Sequence, residues 1–98
     1  MMNDNNVQIQ FYGAIRAAAN KSADEAAPGN TVWELLQKLA DGYAPAFRGE
    51  IFAEGGEGLR DDLTITVNGA IVSHEAVRGI TTAPGDVIAM LPVFPGGG

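Results

Sequence analysis

Few side chains in this sequence have the chemistry of a catalyst or a metal ligand. The 98 residues include no cysteine and one histidine, His74. A transition-metal site would therefore have to consist almost entirely of carboxylates, which is unusual. A nucleophile activated by His74 would need Ser22 or Ser73, and the side chain of Ser73 diverges from that of its immediate neighbour. We therefore predict no metal site and no cofactor bound by this chain, and we interpret His74 as a surface or hairpin-end residue.

A glycine-rich stretch and two pairs of acidic residues are more typical of loops than of sites. Residues 55–58 read Gly-Gly-Glu-Gly. They lack the Lys-Ser/Thr pair of a phosphate-binding loop and do not lead into a helix. Asp24-Glu25 and Asp61-Asp62 could act as acids or bases, but adjacent carboxylates in turn-like sequence are usually only solvated. Trp33 is interpreted as a side chain packed over the start of a helix, in preference to part of a partner-binding face.

The sequence ends in Gly96-Gly97-Gly98, three successive positions without a side chain. An extended backbone of three residues is about 10 Å long and thin enough to enter a narrow channel in another protein. A frayed terminus or a remnant of cloning would have the same composition. The glycines nevertheless come soon after a predicted buried strand, and they are where unusual chemistry could reside.

Composition and charge narrow the class of protein further. Six basic and twelve acidic residues give a net charge of −6, and 46% of the residues are hydrophobic. An acidic chain has no electrostatic attraction for nucleic acid or for anionic membranes, so we expect basic protein surfaces as partners. No apolar run approaches the length of a membrane span, and the polar start does not resemble a signal peptide. We therefore expect a cytoplasmic protein.

Local patterns predict strands at both ends of the chain and one dominant helix between them. Alternating residues predict a strand at 7–11, and Thr31 with Glu34 three residues later forms a capping box that starts a helix. Asn68-Gly69 between apolar runs predicts a type I′ hairpin. The run 87–91 predicts a strand buried on both faces. Weaker patterns predict a helical turn at 14–19, a strand within 21–27, a short helix from Pro45 and a loop at 54–58.

Segregated strands covered by one main helix indicate the α+β class. Because apolar side chains recur with the period of each element, they also predict the core. The predicted core residues are Val7, Ile9, Phe11, Val32, Leu35, Leu36, Leu39, Ile65, Val67, Val87, Ile88 and Leu91.

The order and spacing of these pieces resemble the ubiquitin-like sulfur carriers. That family includes the small subunit of molybdopterin synthase (MoaD), the thiamine-pathway carrier (ThiS) and the archaeal small modifier proteins. The resemblance covers residues 7–98, and no single piece of it is specific. The segments that carry it are Val7 to Tyr12, Thr31-Val32-Trp33-Glu34-Leu35-Leu36, Val67-Asn68-Gly69, Gly85-Asp86-Val87-Ile88, Leu91-Pro92-Val93 and the terminal glycines.

The resemblance implies a β-grasp fold, with a mixed sheet of four or five strands covered by one main helix and with parallel first and last strands at its centre. We expect a disordered leader at 1–6, a β-grasp domain at 7–94 and a flexible glycine tail at 95–98. The family usually ends in two prolines, two short residues and Gly-Gly. Here Pro92-Val93-Phe94-Pro95 precedes three glycines, which leaves open whether Gly98 or Gly97 is the mature end.

The resemblance also implies a mechanism in which this chain is a cosubstrate and not itself an enzyme. A ubiquitin-activating-like adenylyltransferase, using ATP and magnesium, would adenylate Gly98 or Gly97, and a persulfide from that enzyme or a sulfurtransferase would convert the adenylate to a thiocarboxylate. Phe94, Pro95 and Gly96 would contact the partner.

Several pathways are compatible with such a carrier. The 22 residues from Asp41 to Asp62, between the main helix and the hairpin, resemble the insertion of the molybdopterin synthase small subunit, which favours sulfur donation to molybdopterin with the large subunit as partner. Two alternatives are a ubiquitin-like modifier joined to lysines and a sulfur carrier for thiamine or another pathway. A third is a β-grasp domain whose terminus is not activated.

Overall fold

The computed structural model describes residues 5–55 and 57–92. The sheet is formed by five strands, and three α-helices and one turn of 3-10 helix connect them. In chain order the elements are β1 (Val7–Phe11), α1 (Gly13–Ala19), β2 (Ala23–Ala26), α2 (Val32–Gly42), α3 (Pro45–Ile51), β3 (Leu63–Val67), β4 (Ala70–Val72), the 3-10 turn (Ala76–Arg78) and β5 (Val87–Pro92). The predicted boundaries of leader, domain and tail stay predictions, because residues 1–4 and 93–98 lie outside the described part.

The strands are arranged in the order β2-β1-β5-β3-β4. The first and last strands, β1 and β5, are parallel neighbours inside the sheet, while β2, β3 and β4 pair antiparallel with their neighbours. This mixed sheet with a helix between its two hairpins is the β-grasp arrangement that the resemblance implied, and the α+β prediction is confirmed.

The start of α2 follows from its capping box. The Glu34 amide donates to the Thr31 hydroxyl at 3.1 Å, and the Thr31 amide donates to the Glu34 carboxylate at 2.9 Å. Two backbone donors that lack partners inside the helix are thereby satisfied. The helix then buries one face against the sheet, at Val32, Leu35, Leu36, Leu39 and Ala40.

The β3–β4 hairpin has the predicted two-residue turn. Asn68 has φ 52° and Gly69 has φ 86°, which is the pair of positive angles that a type I′ turn requires. The Asn68 side chain donates to Asp86 at 3.0 Å and accepts from the Val87 amide at 2.9 Å. The turn is thus bonded to the start of β5.

The predicted core is confirmed at nine of its twelve positions and wrong at three. Val87 and Leu91 are half-buried because β5 buries Ile88 and Met90 on the helix side, so its alternate residues point to the other face. Val67 packs against the core next to the turn of the hairpin and is also half-buried. Short segments supply buried residues that periodicity had not indicated: Ile15, Phe47, Ile51, Phe52, Leu59, Leu63, Val77 and Met90.

None of the helices in residues 5–55 and 57–92 combines the length and apolar character needed to cross a bilayer.

Candidate functional site: the end of β5 and the open sheet face

The end of β5 is where the chain leaves the sheet towards the predicted reactive terminus. Pro92 is the last residue of the strand and pairs with Leu63 of β3. Phe94, Pro95, Gly96, Gly97 and Gly98, the predicted site residues, lie outside the described residues. Six residues beyond Pro92 can reach at most about 20–22 Å. The position of Pro92 therefore limits where the terminal glycines can lie. The residues that hold Pro92 in place are the described part of the candidate site.

Pro92 also ends the parallel pairing of β5 with β1. The Tyr12 amide donates to the Met90 carbonyl at 3.2 Å. In a parallel ladder the next bond would run from the amide of residue 92 to the Tyr12 carbonyl, but proline has no N–H. The Tyr12 carbonyl instead accepts from the amides of Ile15 and Arg16 at 3.2 and 3.3 Å. Because Pro92 cannot donate to the Tyr12 carbonyl, this carbonyl is available to accept the first hydrogen bonds of α1.

His74 holds the other side of this end. Its Nε2 lies 2.6 Å from the Leu63 carbonyl oxygen. The pairing of Ile65 with Val72, continued by two residues on each strand, would place Leu63 opposite His74, so the imidazole takes the position of the next ladder donor. His74 is half-buried and lies two residues after the end of the hairpin, in agreement with the prediction of a hairpin-end residue. The Ser73 hydroxyl accepts from the Ala76 amide at 3.1 Å, which is a turn contact. We call these five residues, Tyr12, Gly13, Leu63, His74 and Pro92, the β5 exit.

The sheet face opposite α2 borders the β5 exit and shares Tyr12 with it. One row across it consists of Gln10, Ala89, Thr66 and Ile71, paired in that order. Ile71 is 77% exposed. The residues that β1, β3, β4 and β5 contribute to this face, with Tyr12 just after β1, are uncharged, and we call these nine the open face: Gln8, Gln10, Tyr12, Thr64, Thr66, Ile71, Val87, Ala89 and Leu91. Ala23 and Glu25 of the edge strand β2, paired with Gln10 and Gln8, extend the same side of the sheet.

A negative charge lies at the β2 edge of the open face, where the Glu25 carboxylate accepts from the Gln8 side-chain amide at 3.1 Å. Asp24, the other acidic residue of β1–β5, is paired with the buried Ile9 and so lies on the opposite face of the sheet. A neutral surface with a protruding aliphatic side chain is suited to docking against another protein.

The glycine-rich loop and Trp33 belong to a different side of the molecule. Trp33 meets Phe52 edge-on at 5.4 Å between ring centroids. The Arg78 guanidinium lies 3.8 Å above the Trp33 ring and donates to the Glu57 carbonyl at 2.8 Å. Arg78 thus connects the loop to the start of α2, which agrees with the prediction of a packed Trp33 and a glycine-rich loop.

The acidic pairs are engaged in local contacts. Asp62 accepts two hydrogen bonds from Arg60, at 2.9 and 3.0 Å. Asp24 accepts from the Tyr43 hydroxyl and lies 3.5 Å from the Lys21 ammonium. Burial would raise the pKa of Asp24, but the bonds from Tyr43 and the Glu25 amide, with the charge of Lys21, lower it. The hydrogen bond with Tyr43 raises the pKa of Lys21. Within the described residues, no three of the acidic and histidine side chains lie close enough to hold a metal ion.

The sequence model of the ThiS family matches residues 9–97, which is nearly the whole chain. The chain belongs to the ThiS family. Its members are small ubiquitin-like carriers of sulfur or modifiers of proteins and are not themselves catalysts. The match begins within β1, includes the other four strands and continues through Gly97. Among curated proteins, none matches this member of the family in sequence.

Three solved structures with the same fold come from archaea. The small archaeal modifier protein 1 of Methanosarcina acetivorans is 28% identical, with a TM-score of 0.74 over 94% of this chain and 96% of the other. A putative molybdopterin converting factor, subunit 1, of Pyrococcus furiosus is 25% identical, with a TM-score of 0.68 over 91% and 98%. SAMP1 of Haloferax volcanii, at 24% identity, has a TM-score of 0.76 over 94% and 99% and supports the fold alone.

Sequence reasoning had not identified Tyr12, Gly13 or Leu63 as parts of this ThiS-family protein's site. These residues matter because they lie beside the end of β5. Tyr12 and Gly13 are about 80 residues from Pro92 along the chain, and Leu63 is about 30 residues from it. One sequence signal was present, because Gly13 lies two residues after the end of β1 and glycine in that place marks a positive φ or a close approach.

Proposed function

We propose that this protein is a sulfur carrier in which Gly98, or Gly97 after removal of one residue, is adenylated and converted to a thiocarboxylate. We further propose that it donates this sulfur to molybdopterin as the small subunit of molybdopterin synthase. The observation that carries the proposal is the family match, which extends past the β-grasp domain into the glycine run. The likeness to a putative molybdopterin converting factor subunit, at 25% identity over 91% of this chain, supports the choice of pathway.

The proposed chemistry requires a partner enzyme, because a terminal carboxylate is ionised at neutral pH and is a poor electrophile. One carboxylate oxygen attacks the α-phosphorus of ATP and pyrophosphate leaves. The terminal sulfur of an enzyme persulfide then attacks the acyl carbon and AMP leaves. Cleavage of the sulfur–sulfur bond by a second thiol releases the thiocarboxylate and forms a disulfide on the donor. This chain has no cysteine, so its terminus would be the group that holds the sulfur.

The open face and the β5 exit give such a carrier separate means of docking and of presenting its terminus. We propose that the open face contacts a ubiquitin-activating-like adenylyltransferase, and in turn the large subunit of molybdopterin synthase. Phe94, Pro95 and Gly96 would line the path of the terminus, and ATP and magnesium would be bound by the adenylating partner. A sulfurtransferase would supply the persulfide in the cytoplasm.

A second candidate is protein modification through the same terminal glycine. The archaeal modifier from Methanosarcina acetivorans is 28% identical to this chain. An acyl-adenylate or a thioester derived from it could react with a lysine amine as well as with a persulfide. Both functions require the activated terminus, and they differ in the nucleophile that reaches it.

Intact-mass measurement after co-expression with an adenylyltransferase and a sulfurtransferase of the same genome tests the proposal. Replacement of one oxygen by sulfur on this chain supports the carrier, and a ladder of higher-mass conjugates supports the modifier. If neither product forms, the chain is a β-grasp domain without an activated terminus.

Deletion of Gly97 and Gly98 should abolish the sulfur-bearing product while leaving thermal unfolding nearly unchanged, because short terminal segments contribute little to folding. Deletion of Asn3 and Asp4 is the matched control for shortening the chain by two residues. Full sulfur loading of the chain without Gly97 and Gly98 would refute the role of the terminus.

A further inference from the structure

Gly13 packs against the last residue of β5 more closely than any side chain would permit. A Cβ atom at this position would lie 2.6 Å from Cγ and 3.2 Å from Cδ of Pro92. Carbon atoms in van der Waals contact are about 3.5–4.0 Å apart, so the pyrrolidine ring occupies the space that a side chain at residue 13 would fill. The backbone of Gly13 also has φ +58°, a left-handed angle that glycine adopts readily.

This contact distinguishes Gly13 from other glycines with a positive φ. Gly29, Gly55 and Gly69 have φ +109°, +94° and +86°, and a Cβ at any of them would have no neighbouring atom within 4 Å. Their backbone angles alone account for glycine there. At Gly13 there is a second reason for glycine, because the Pro92 ring occupies the space that a side chain would need.

Two further contacts connect the same pair of segments. The Tyr12 amide is bonded to the Met90 carbonyl, and the Tyr12 carbonyl begins α1 because Pro92 has no N–H to donate. The junction of β1 and α1 therefore surrounds the end of β5, while Leu63 borders it on the β3 side. These neighbours hold Pro92, the last described residue of the chain, in place.

We infer that Gly13 is a positioning residue: by allowing the Pro92 ring to pack on the β1–α1 junction, it sets the direction in which residues 93–98 leave the open face. This inference rests on the proposed function. When the open face is docked on an adenylating enzyme, the terminus must meet an active site at a fixed distance from that face. A misplacement of about 1 Å can cost on the order of a hundredfold in rate. A side chain at residue 13 would displace the ring and hence the origin of the terminal segment.

The test compares Gly13→Ala with Gly69→Ala, which adds the same methyl group at a positive φ without a neighbour. The wild type and both variants are titrated against the adenylyltransferase and sulfurtransferase with ATP, and thiocarboxylate formation is followed by intact mass. We expect the kcat of Gly13→Ala to fall at least about tenfold with KM within twofold, because the docking face is unchanged. Gly69→Ala should keep both values within twofold of wild type.

A measurement that does not depend on activity uses hydrogen exchange at the Tyr12 amide. Displacement of the Pro92 ring should strain the adjacent Tyr12–Met90 bond, so this amide should exchange at least about tenfold faster in Gly13→Ala and at the wild-type rate in Gly69→Ala. If Gly13→Ala does not fold, Pro92→Ala removes the ring from the other side of the contact. We expect that variant to show the same loss of kcat at unchanged KM.

The possible outcomes distinguish the positioning role of Gly13 from the proposed sulfur-carrier function. Normal sulfur loading of the wild type together with equally fast loading of Gly13→Ala, or of Pro92→Ala where the first does not fold, overturns the positioning role and leaves the proposed function intact. A rise in KM without a fall in kcat also overturns it, because it would place Gly13 in docking. A wild-type chain that accepts no sulfur overturns the proposed function, and the positioning role with it.

Discussion

Replacing Ile71 by alanine should weaken docking to the adenylating enzyme without lowering the stability of the fold. Each methylene removed from water is worth about 0.8 kcal/mol, so the three carbons lost amount to about 2.4 kcal/mol when fully buried. Because Ile71 is 77% exposed in the free chain, about 1.8 kcal/mol of this is available to an interface. That difference corresponds to roughly a twentyfold rise in Kd.

The assay is calorimetric titration of the adenylyltransferase with the carrier. Ile71→Val removes one carbon instead of three and should raise Kd about threefold. The rise in Kd should therefore increase with the number of carbons removed. Lys38→Ala is the control for an exposed position on α2, on the opposite side of the sheet, and should leave Kd unchanged. Urea unfolding of each variant, followed by the fluorescence of Trp33, should agree with wild type within about 0.5 kcal/mol.

An unchanged Kd for Ile71→Ala, with unfolding also unchanged, would exclude the open face as the docking surface. A loss of more than about 1 kcal/mol in the free energy of unfolding would contradict the exposure of this side chain, since exposed surface substitutions usually have smaller effects. The first result would refute the assignment of the docking surface, and the second would refute the exposure of Ile71 in the free chain.

Three further predictions concern the fold. Leu36→Ala should lower the free energy of unfolding by about 2–5 kcal/mol, because Leu36 is fully buried; a loss below about 0.5 kcal/mol in urea unfolding would contradict the placement of α2. Gly69→Val should lower the melting temperature, since a β-branched residue is strained at φ +86°, while sulfur loading of the folded fraction stays at the wild-type level; an unchanged melting temperature would contradict the type I′ turn. The pKa of Asp24 is lowered in the folded chain, so its contribution to stability is present above the unfolded pKa of about 4 and is lost as the pH falls through the lower folded value. Asp24→Asn should therefore flatten the fall in melting temperature below about pH 4, and an identical acid profile in both proteins would count against the Asp24–Tyr43–Lys21 contacts.

Features set by neighbouring residues could be predicted from the sequence. The capping box at Thr31 and Glu34 and the turn at Asn68-Gly69 depend on spacings of three and one residues, and both formed as predicted. The face of β5 could not be predicted in the same way. An apolar run such as 87–91 does not reveal which alternate residues meet the helix, and only the pairing with β1 and β3 decides that Ile88 and Met90 do.

For the candidate site, the sequence leads to a prediction of its chemistry, which stays a prediction, but not to the residues that support it. Three consecutive glycines identify where a reaction could occur, since this is a property of composition. The contact of Gly13 with Pro92 joins residues 79 positions apart, and no local pattern encodes such a pair. Short buried segments such as those holding Ile15 and Val77 escaped prediction for the same reason, because one or two turns are too short to show a period.

The parallel pairing of β1 with β5 has a mechanical consequence. Val7 begins β1 at one end of the ladder, and Pro92 ends β5 at the other. A force that pulls the C-terminal side of the chain away from its N-terminal side therefore acts along both strands in opposite directions. The ladder hydrogen bonds, which run across the strands, carry such a load together as shear and are not opened one after another. A protein that draws this chain by its end would thus pull against the most resistant direction of the sheet, whereas a pull on β4, an edge strand of three residues, would peel it away bond by bond.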